Sequence, residues 1–436
     1  MSNKARSKSA WAAARRLAEN TPEARNRYVD FLRALSILAV VSGHWLIAAP
    51  YVADGKPHLG QMLEIDPRTQ WLTFLFQVMP VFFIVGGFSN SASWEAARRS
   101  GRGYAVWLHE RLRRLIGPLL PLLTIWVVIA SIARWYGASP ELIRYSSQAA
   151  LVPTWFLAVY MLVVLLVPIT RAAWRRFGIA SFWFLVLGAV AVDIARFAGG
   201  QLWAGWANYL FVWLAVHQLG YLWRDGRLAG AARALPWFAA GALGLVALIG
   251  YFGYPHSLVG VPGEEISNTL PPSLAMLALG ALQAGLMLSL EGPFRRWLRR
   301  TVPWTATVLV NGMIMTVYLW HLTVMILLVG LIVKLGGFGL TLAPGSSAWW
   351  ATRPIWMALL SLALFPFLIV FGRFERPGKA DESKRPAVWR LIAGTLLVCA
   401  GLALLALAGI RVWVLALPFA GAALAGLFQS SPRKTA

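Results

Sequence analysis

Cysteine is almost absent. Cys399 stands alone among 436 residues, so the chain forms no internal disulfide, and no Cys/His spacing suggests a zinc site. Acidic residues are scarce too, 17 against 40 Lys and Arg, and charge of either sign makes up only 13% of the chain while 58% is apolar. That balance excludes an ordinary soluble domain. Met1 to Arg27 has no apolar core, which excludes a signal peptide there. This segment is basic and Ala-rich and reads as a cytoplasmic tail. Two states are open to it: a disordered tail, or a short basic helix lying on anionic lipid. No internal repeat and no extracellular domain is visible.

Long apolar runs fill the rest. They predict a polytopic, all-α membrane protein of about twelve helices, at roughly 30–49, 70–94, 115–135, 152–170, 179–198, 203–223, 234–252, 271–290, 304–333, 350–372, 388–409 and 411–428. The ninth run is long enough to tilt or bend near Gly312. Almost nothing joins the last two around Ile410, which predicts a tight hairpin.

Alternate gaps between these runs are basic. Placing the N-terminus inside puts 30 of the 40 Lys and Arg in inner segments and eight in outer segments and their flanks. Asp54, Glu64, Asp66, Glu141, Glu264 and Glu265 fall in outer loops. The positive-inside rule then predicts both termini in the cytoplasm. It also accounts for most of the net charge of +23 without a nucleic-acid partner.

The first helix carries ionisable residues that a lipid-facing span would avoid: Asp30, Arg33 and His44. Arg33 and His44 are eleven residues apart, so they share one helical face about 16 Å apart along the axis. Asp30 lies at i−3 from Arg33, within pairing reach. In the predicted orientation Arg33 sits near the cytoplasmic surface and His44 in the outer half. Arginine suits phosphate, and histidine suits proton removal from a hydroxyl near neutral pH. The structural alternative is a snorkelling Arg33 paired with Asp30, and a His44 that only packs.

Further patterns recur along the chain. The second helix reads Val81-Phe82-Phe83-Ile84-Val85-Gly86-Gly87-Phe88-Ser89, and its paired glycines permit close backbone approach by a helix or an acyl chain. The next inner loop holds Arg111-Leu-Arg113-Arg114 with Pro118 a turn later. The fourth helix opens with Pro153-Thr154-Trp155-Phe156-Leu157. The fifth carries Asp193 and Arg196 at i,i+3, which predicts a local pair or a carboxylate that orients His44. His217 and Gln218 on the sixth either meet a donor or bond between helices. The ninth carries Asn311 and then Tyr318-Leu319-Trp320-His321.

Taken in order over residues 27–330, these patterns resemble the acyltransferase-3 family of bacterial integral-membrane acyltransferases. The matching features are Asp-x-x-Arg with a histidine eleven residues after the arginine, the Phe-Phe run, Arg-x-x-Arg, Trp-Phe-Leu and Tyr-Leu-x-His. Gly86 departs from the family, where serine is common. The resemblance implies a ten-helix acyltransferase core over 30–373, with 374–428 as an added transmembrane hairpin between the cytoplasmic tails 1–29 and 429–436. It implies an O-acyltransferase of the bacterial cytoplasmic membrane, using acetyl-CoA or another acyl-CoA and no metal. The acceptor would be a hydroxyl of an envelope glycan, a glycolipid or an exported metabolite.

Carried over residue by residue, His44 is the base or a transient acyl carrier, and Arg33 positions the donor with Asp30 fixing its geometry. Arg111 and Arg114 help hold the 3′-phosphate or pyrophosphate of coenzyme A; their plain alternative is positive-inside anchoring on anionic lipid. Trp155, Asp193, Tyr318 and His321 are candidates on the acceptor side. A secondary transporter or lipid flippase also fits twelve spans with both ends inside. Against it, the loop after the second helix lacks the Gly-x-x-x-Asp-x-x-Gly-Arg pattern of major facilitators, and the halves show no similarity.

Overall fold

The computed structural model describes residues 3–23, 25–53, 56–228, 230–375 and 386–428. The predicted tail 429–436, most of the predicted inner loop 373–387 and Asp54 lie outside the described residues. The helices are α1 (Asn3–Glu19), α2 (Arg27–Ile47), α3 (Met62–Ile65), α4 (Thr73–Phe76), α5 (Met79–Arg99), α6 (Tyr104–Ile116), α7 (Leu119–Trp135), α8 (Pro140–Leu151), α9 (Thr154–Phe177) and α10 (Ile179–Asp193). After them come α11 (Asn208–Arg224), α12 (Ala231–Gly250), α13 (Leu274–Ser289), α14 (Glu291–Trp297), α15 (Thr301–Asn311), α16 (Ile314–Lys334), α17 (Ser347–Phe371), α18 (Val388–Ala408) and α19 (Val412–Leu424). Two short strands, β1 (Ala48–Ala53) and β2 (Lys56–Gln61), pair with each other.

The fold is all-α and multi-pass. Among the described residues, nine helical stretches are long and apolar enough to cross a membrane, and the bent pair α13–α14 makes a tenth. Two predicted spans are shorter than expected. α11 has 17 residues because Leu202–Ala207 winds as a 3-10 turn, and α19 has 13. The predicted second span is interrupted at Gln77 and Val78. Pro80 lacks the N–H that would continue the helix backwards. At the break Gln283 Nε2 donates to the Gln77 carbonyl at 2.8 Å, and the Gln77 side chain donates from Nε2 to Leu258 O at 3.0 Å. The ninth run, expected to tilt or bend near Gly312, breaks there into α15 and α16.

One compact unit comprises Met1–Ala49, Leu59–Ala92 and Ile169–Ile314. The N-terminal segment is helical over Asn3–Glu19. α1 docks on α15 with Ala14 and Ala18 buried, and Trp304 Nε1 donates to Thr21 Oγ1 at 3.0 Å. α11 is the core of this unit, with Val212 to Trp223 buried throughout. It meets α5 closely, since a Cβ on Gly87 would fall on the His217 carbonyl oxygen and one on Gly220 would lie 2.8 Å from Gly87 Cα. On either side of this contact Phe83 stacks on Trp213 at 4.4 Å and Phe88 meets Trp223 at 4.7 Å. Lipid tails are as apolar as these helices, so close packing and interhelical hydrogen bonds must hold them together. Gly87 therefore admits a helix.

The other unit comprises Pro50–His58, Ser93–Pro168 and Met315–Ala436. α18 and α19 form the predicted hairpin. Gly394 and Gly421 face each other so closely that a Cβ on Gly394 would lie 2.5 Å from the Gly421 carbonyl oxygen. The hairpin is tied to α8 and α9 by Gln148 Nε2, which donates to Leu407 O at 2.7 Å, and by Cys399 Sγ, which donates to Ala158 O at 3.4 Å. Within the same unit Trp320 of α16 stacks on Phe371 of α17 at 4.0 Å.

Candidate functional site

α2 begins where Asn26 caps it, its side chain accepting from the amides of Tyr28 and Val29. Asp30 lies in the first turn, where a carboxylate favours the positive end of the helix. The helix then runs unbroken to Ile47, so Arg33, Ile37, Val40 and His44 line one face. Ile37 and Val40 are buried, whereas Leu35 and Leu38 on the opposite side are exposed. Arg33 and His44 thus share the protein-facing side of α2. Both are half-buried.

The Arg33 end is built from charges. Asp30 Oδ1 accepts from Arg33 Nη1 at 3.1 Å and Oδ2 accepts from Arg25 Nε at 2.6 Å. Asn311 Nδ2 donates to the Asp30 carbonyl at 2.9 Å, bringing the end of α15 against this turn. Asp30 is 6% exposed, but the Arg33 side chain keeps 30% of its surface. Two guanidinium groups around one carboxylate leave a net positive charge facing outward from a fixed support. That charge suits an anionic oxygen.

α5 extends this cluster. Arg33 Nη2 donates to Ser89 Oγ at 3.1 Å, Asn90 Nδ2 donates to His217 Nε2 at 3.3 Å, and Arg224 Nη1 donates to Ser91 Oγ at 2.9 Å. Three consecutive polar residues on one turn thereby join α2 and α11. His217 bonds between helices, and so does Gln218, which accepts from Ser181 Oγ at 3.1 Å. Ser89 closes the second-helix motif without an expected role, and Ser91 and Arg224 belong to none of the predicted motifs. A Ser-Asn-Ser triplet directly after seven largely apolar positions is the mark in the sequence of Ser89 and Ser91, and Arg224 carries no such mark.

Asp193 has other partners than those expected. Its carboxylate accepts from Asn208 Nδ2 at 2.8 Å, Tyr254 Oη at 2.9 Å and the Leu274 amide at 2.7 Å. Arg196, predicted to pair with it, donates instead to the carbonyls of Pro271 and Ser267 at 3.3 and 3.2 Å. The i,i+3 spacing permits a local pair, but the loop 251–273 folds over this end of α10 and supplies nearer partners to both. Burial and the adjacent Asp193 charge push the Tyr254 phenol upward, so it remains a donor.

In the second unit two predicted motifs come together. Tyr318 Oη donates to the Pro153 carbonyl at 2.8 Å, and its ring meets Phe156 edge-on at 5.8 Å. Trp155 is half-buried beside Phe156. His321 Nδ1 donates to the Tyr318 carbonyl at 2.6 Å. A carbonyl only accepts, so Nε2 is the acceptor nitrogen of the neutral ring. Arg111 and Arg114 both lie on α6; Arg111 is half-buried, 5.9 Å from the Trp107 ring centroid, and Arg114 is exposed. Among the described residues no group of three or more His, Cys, Asp or Glu could hold a metal ion.

The family model of the acyltransferase-3 proteins, described as an acyltransferase domain, matches residues 26–373. No curated protein and no solved structure matches the chain.

Proposed function

The chain belongs to the acyltransferase-3 family, and on that premise we propose that this membrane acyltransferase draws an acyl group, most simply acetyl, from acyl-CoA at the cytoplasmic face of a bacterial inner membrane. The acceptor is a hydroxyl of an envelope glycan, a glycolipid or an exported metabolite. His44 removes the hydroxyl proton as the oxygen attacks the thioester carbonyl. The C–S bond breaks, the thiolate leaves and takes up a proton, and an ester and free coenzyme A result. A transient acyl-His44 intermediate gives the same products.

The observation that carries this reading is the Asp30–Arg33–Ser89 arrangement on the helix that also bears His44. Arg33 is held on two sides and still partly open, as a phosphate-gripping residue must be. A phosphate grip three turns from a base suits a donor whose thioester stands at the end of an arm. Arg111 and Arg114 assist with the donor phosphates in this scheme. Trp155, Tyr318 and His321 serve the acceptor in this scheme. Asp193 is a framework residue of its own unit and holds loop 251–273. Residues 30–373 make up the transferase domain and 374–428 an added hairpin.

The test is acyl transfer by membranes carrying wild type, His44→Ala or Arg33→Ala at equal expression, with labelled acetyl-CoA and a total envelope extract. Wild type is expected to label a product and both variants to fail. Equal labelling by the variants would overturn the first-helix mechanism. Substrate efflux with no release of coenzyme A would favour a transporter.

A further inference from the structure

α17 carries a buried stripe at Trp349, Arg353, Trp356, Leu360 and Leu364. Arg353 is 6% exposed, and its guanidinium lies 3.8 Å from the Trp349 ring centroid and 5.6 Å from that of Trp356. Its Nε and Nη1, with the indole Nε1 of both tryptophans, are buried and have no hydrogen-bond partner. Four donors and a positive charge therefore share about two turns of helix without an acceptor among them.

Such an arrangement is costly by itself. A buried guanidinium loses its hydration, and unpaired buried donors lose theirs. Stacking on an indole recovers part of this through the ring quadrupole. It leaves the edge of the guanidinium, where the N–H groups lie, uncommitted. A residue serving only as a lipid-interface anchor would extend its head to water or lipid phosphate, yet this one is enclosed by protein. The complement to four donors and a cation is an oxygen-rich anion.

We propose that Arg353, Trp349 and Trp356 form an oxyanion-binding site that takes a phosphate-type group. The group is supplied either by a soluble molecule or by the headgroup of an anionic lipid. The site lies outside the acyl-transfer residues assigned above, and its occupancy is measurable without any acyl donor.

The experiment uses the full chain in nanodiscs and follows thermal unfolding. One arm titrates inorganic phosphate against chloride at matched ionic strength in phosphatidylcholine discs. The other replaces part of the phosphatidylcholine by phosphatidylglycerol. Each arm is run on wild type, Arg353→Gln, Trp349→Phe and Trp356→Phe. Stabilisation that Arg353→Gln abolishes, and whose apparent affinity each indole removal lowers about tenfold, is the expected result. Its appearance in the phosphate arm identifies a soluble ligand, and its appearance in the lipid arm a headgroup. If Arg353→Gln does not fold, the two tryptophan variants carry the test, because each removes one donor and keeps an aromatic ring. Stabilisation equal in all four proteins, or absent from wild type in both arms, overturns the proposal.

Discussion

Arg33 is held between two helices, with Nη1 on Asp30 Oδ1 and Nη2 on Ser89 Oγ, each at 3.1 Å. Ser89 therefore acts through the arginine. Ser89→Ala is expected to raise the KM for acyl-CoA about tenfold and to change kcat little, since a hydrogen bond to a charged group is worth roughly 1.5–3 kcal/mol. Steady-state kinetics with varied donor checks this. An unchanged KM would mean that Asp30 alone positions Arg33.

Asp30 accepts from two arginines while almost wholly buried. Asp30→Asn keeps the shape and removes the charge that balances them. It is expected to cost roughly 3–5 kcal/mol of stability, discounted toward the lower end because Arg25 and Arg33 are both partly exposed. Denaturant unfolding in mixed micelles measures it, and a loss below 1 kcal/mol would show that solvent already screens the pair.

Gly87 and Gly220 set the distance between α5 and α11. Gly87→Ala is expected to destabilise by about 2 kcal/mol or more, because the new methyl meets backbone that cannot give way. Gly330→Ala, on α16 with nothing within 4 Å, is the control and is expected to be neutral or slightly stabilising. Thermal unfolding of the two variants side by side is the measurement.

Asp193 and Tyr254 act as one unit through their 2.9 Å hydrogen bond. Asp193→Asn and Tyr254→Phe are each expected to lower stability by about 1–3 kcal/mol, and the double variant by less than their sum. The pH profile of acyl transfer should stay where it is in wild type. A shifted profile would instead show that Asp193 acts on the base.

Tyr318→Phe tests the joint between the two motifs of the second unit. Loss of the bond to the Pro153 carbonyl should cost about 1 kcal/mol of stability. Acyl transfer by the folded fraction then reports whether that joint also shapes the acceptor side. No difference in either quantity would remove Tyr318 from consideration.

Much was legible in the sequence because lipid imposes strict rules. A span needs an unbroken apolar run, so the run lengths identified most of the helices and marked Gly312 as the place where the ninth departs from a straight span. The period of the α-helix put Arg33 and His44 on one face and Asp30 beside Arg33, since α2 runs from Arg27 to Ile47 without interruption. The near-absence of a connector at Ile410 was enough for the α18–α19 hairpin.

The remainder depended on which helices and loops meet. The spacing of Asp193 and Arg196 permitted a pair, but loop 251–273 and α11 brought nearer partners. Ser89, Ser91 and Arg224 read as span and loop residues until α5 met α2 and α11 on one turn. The β1–β2 pairing left no mark in the apolar pattern. Hydropathy and periodicity report how a segment meets its solvent and which residues share its own face. Partners hundreds of residues apart come together only through packing and hydrogen bonding between segments, and tertiary structure alone decides those.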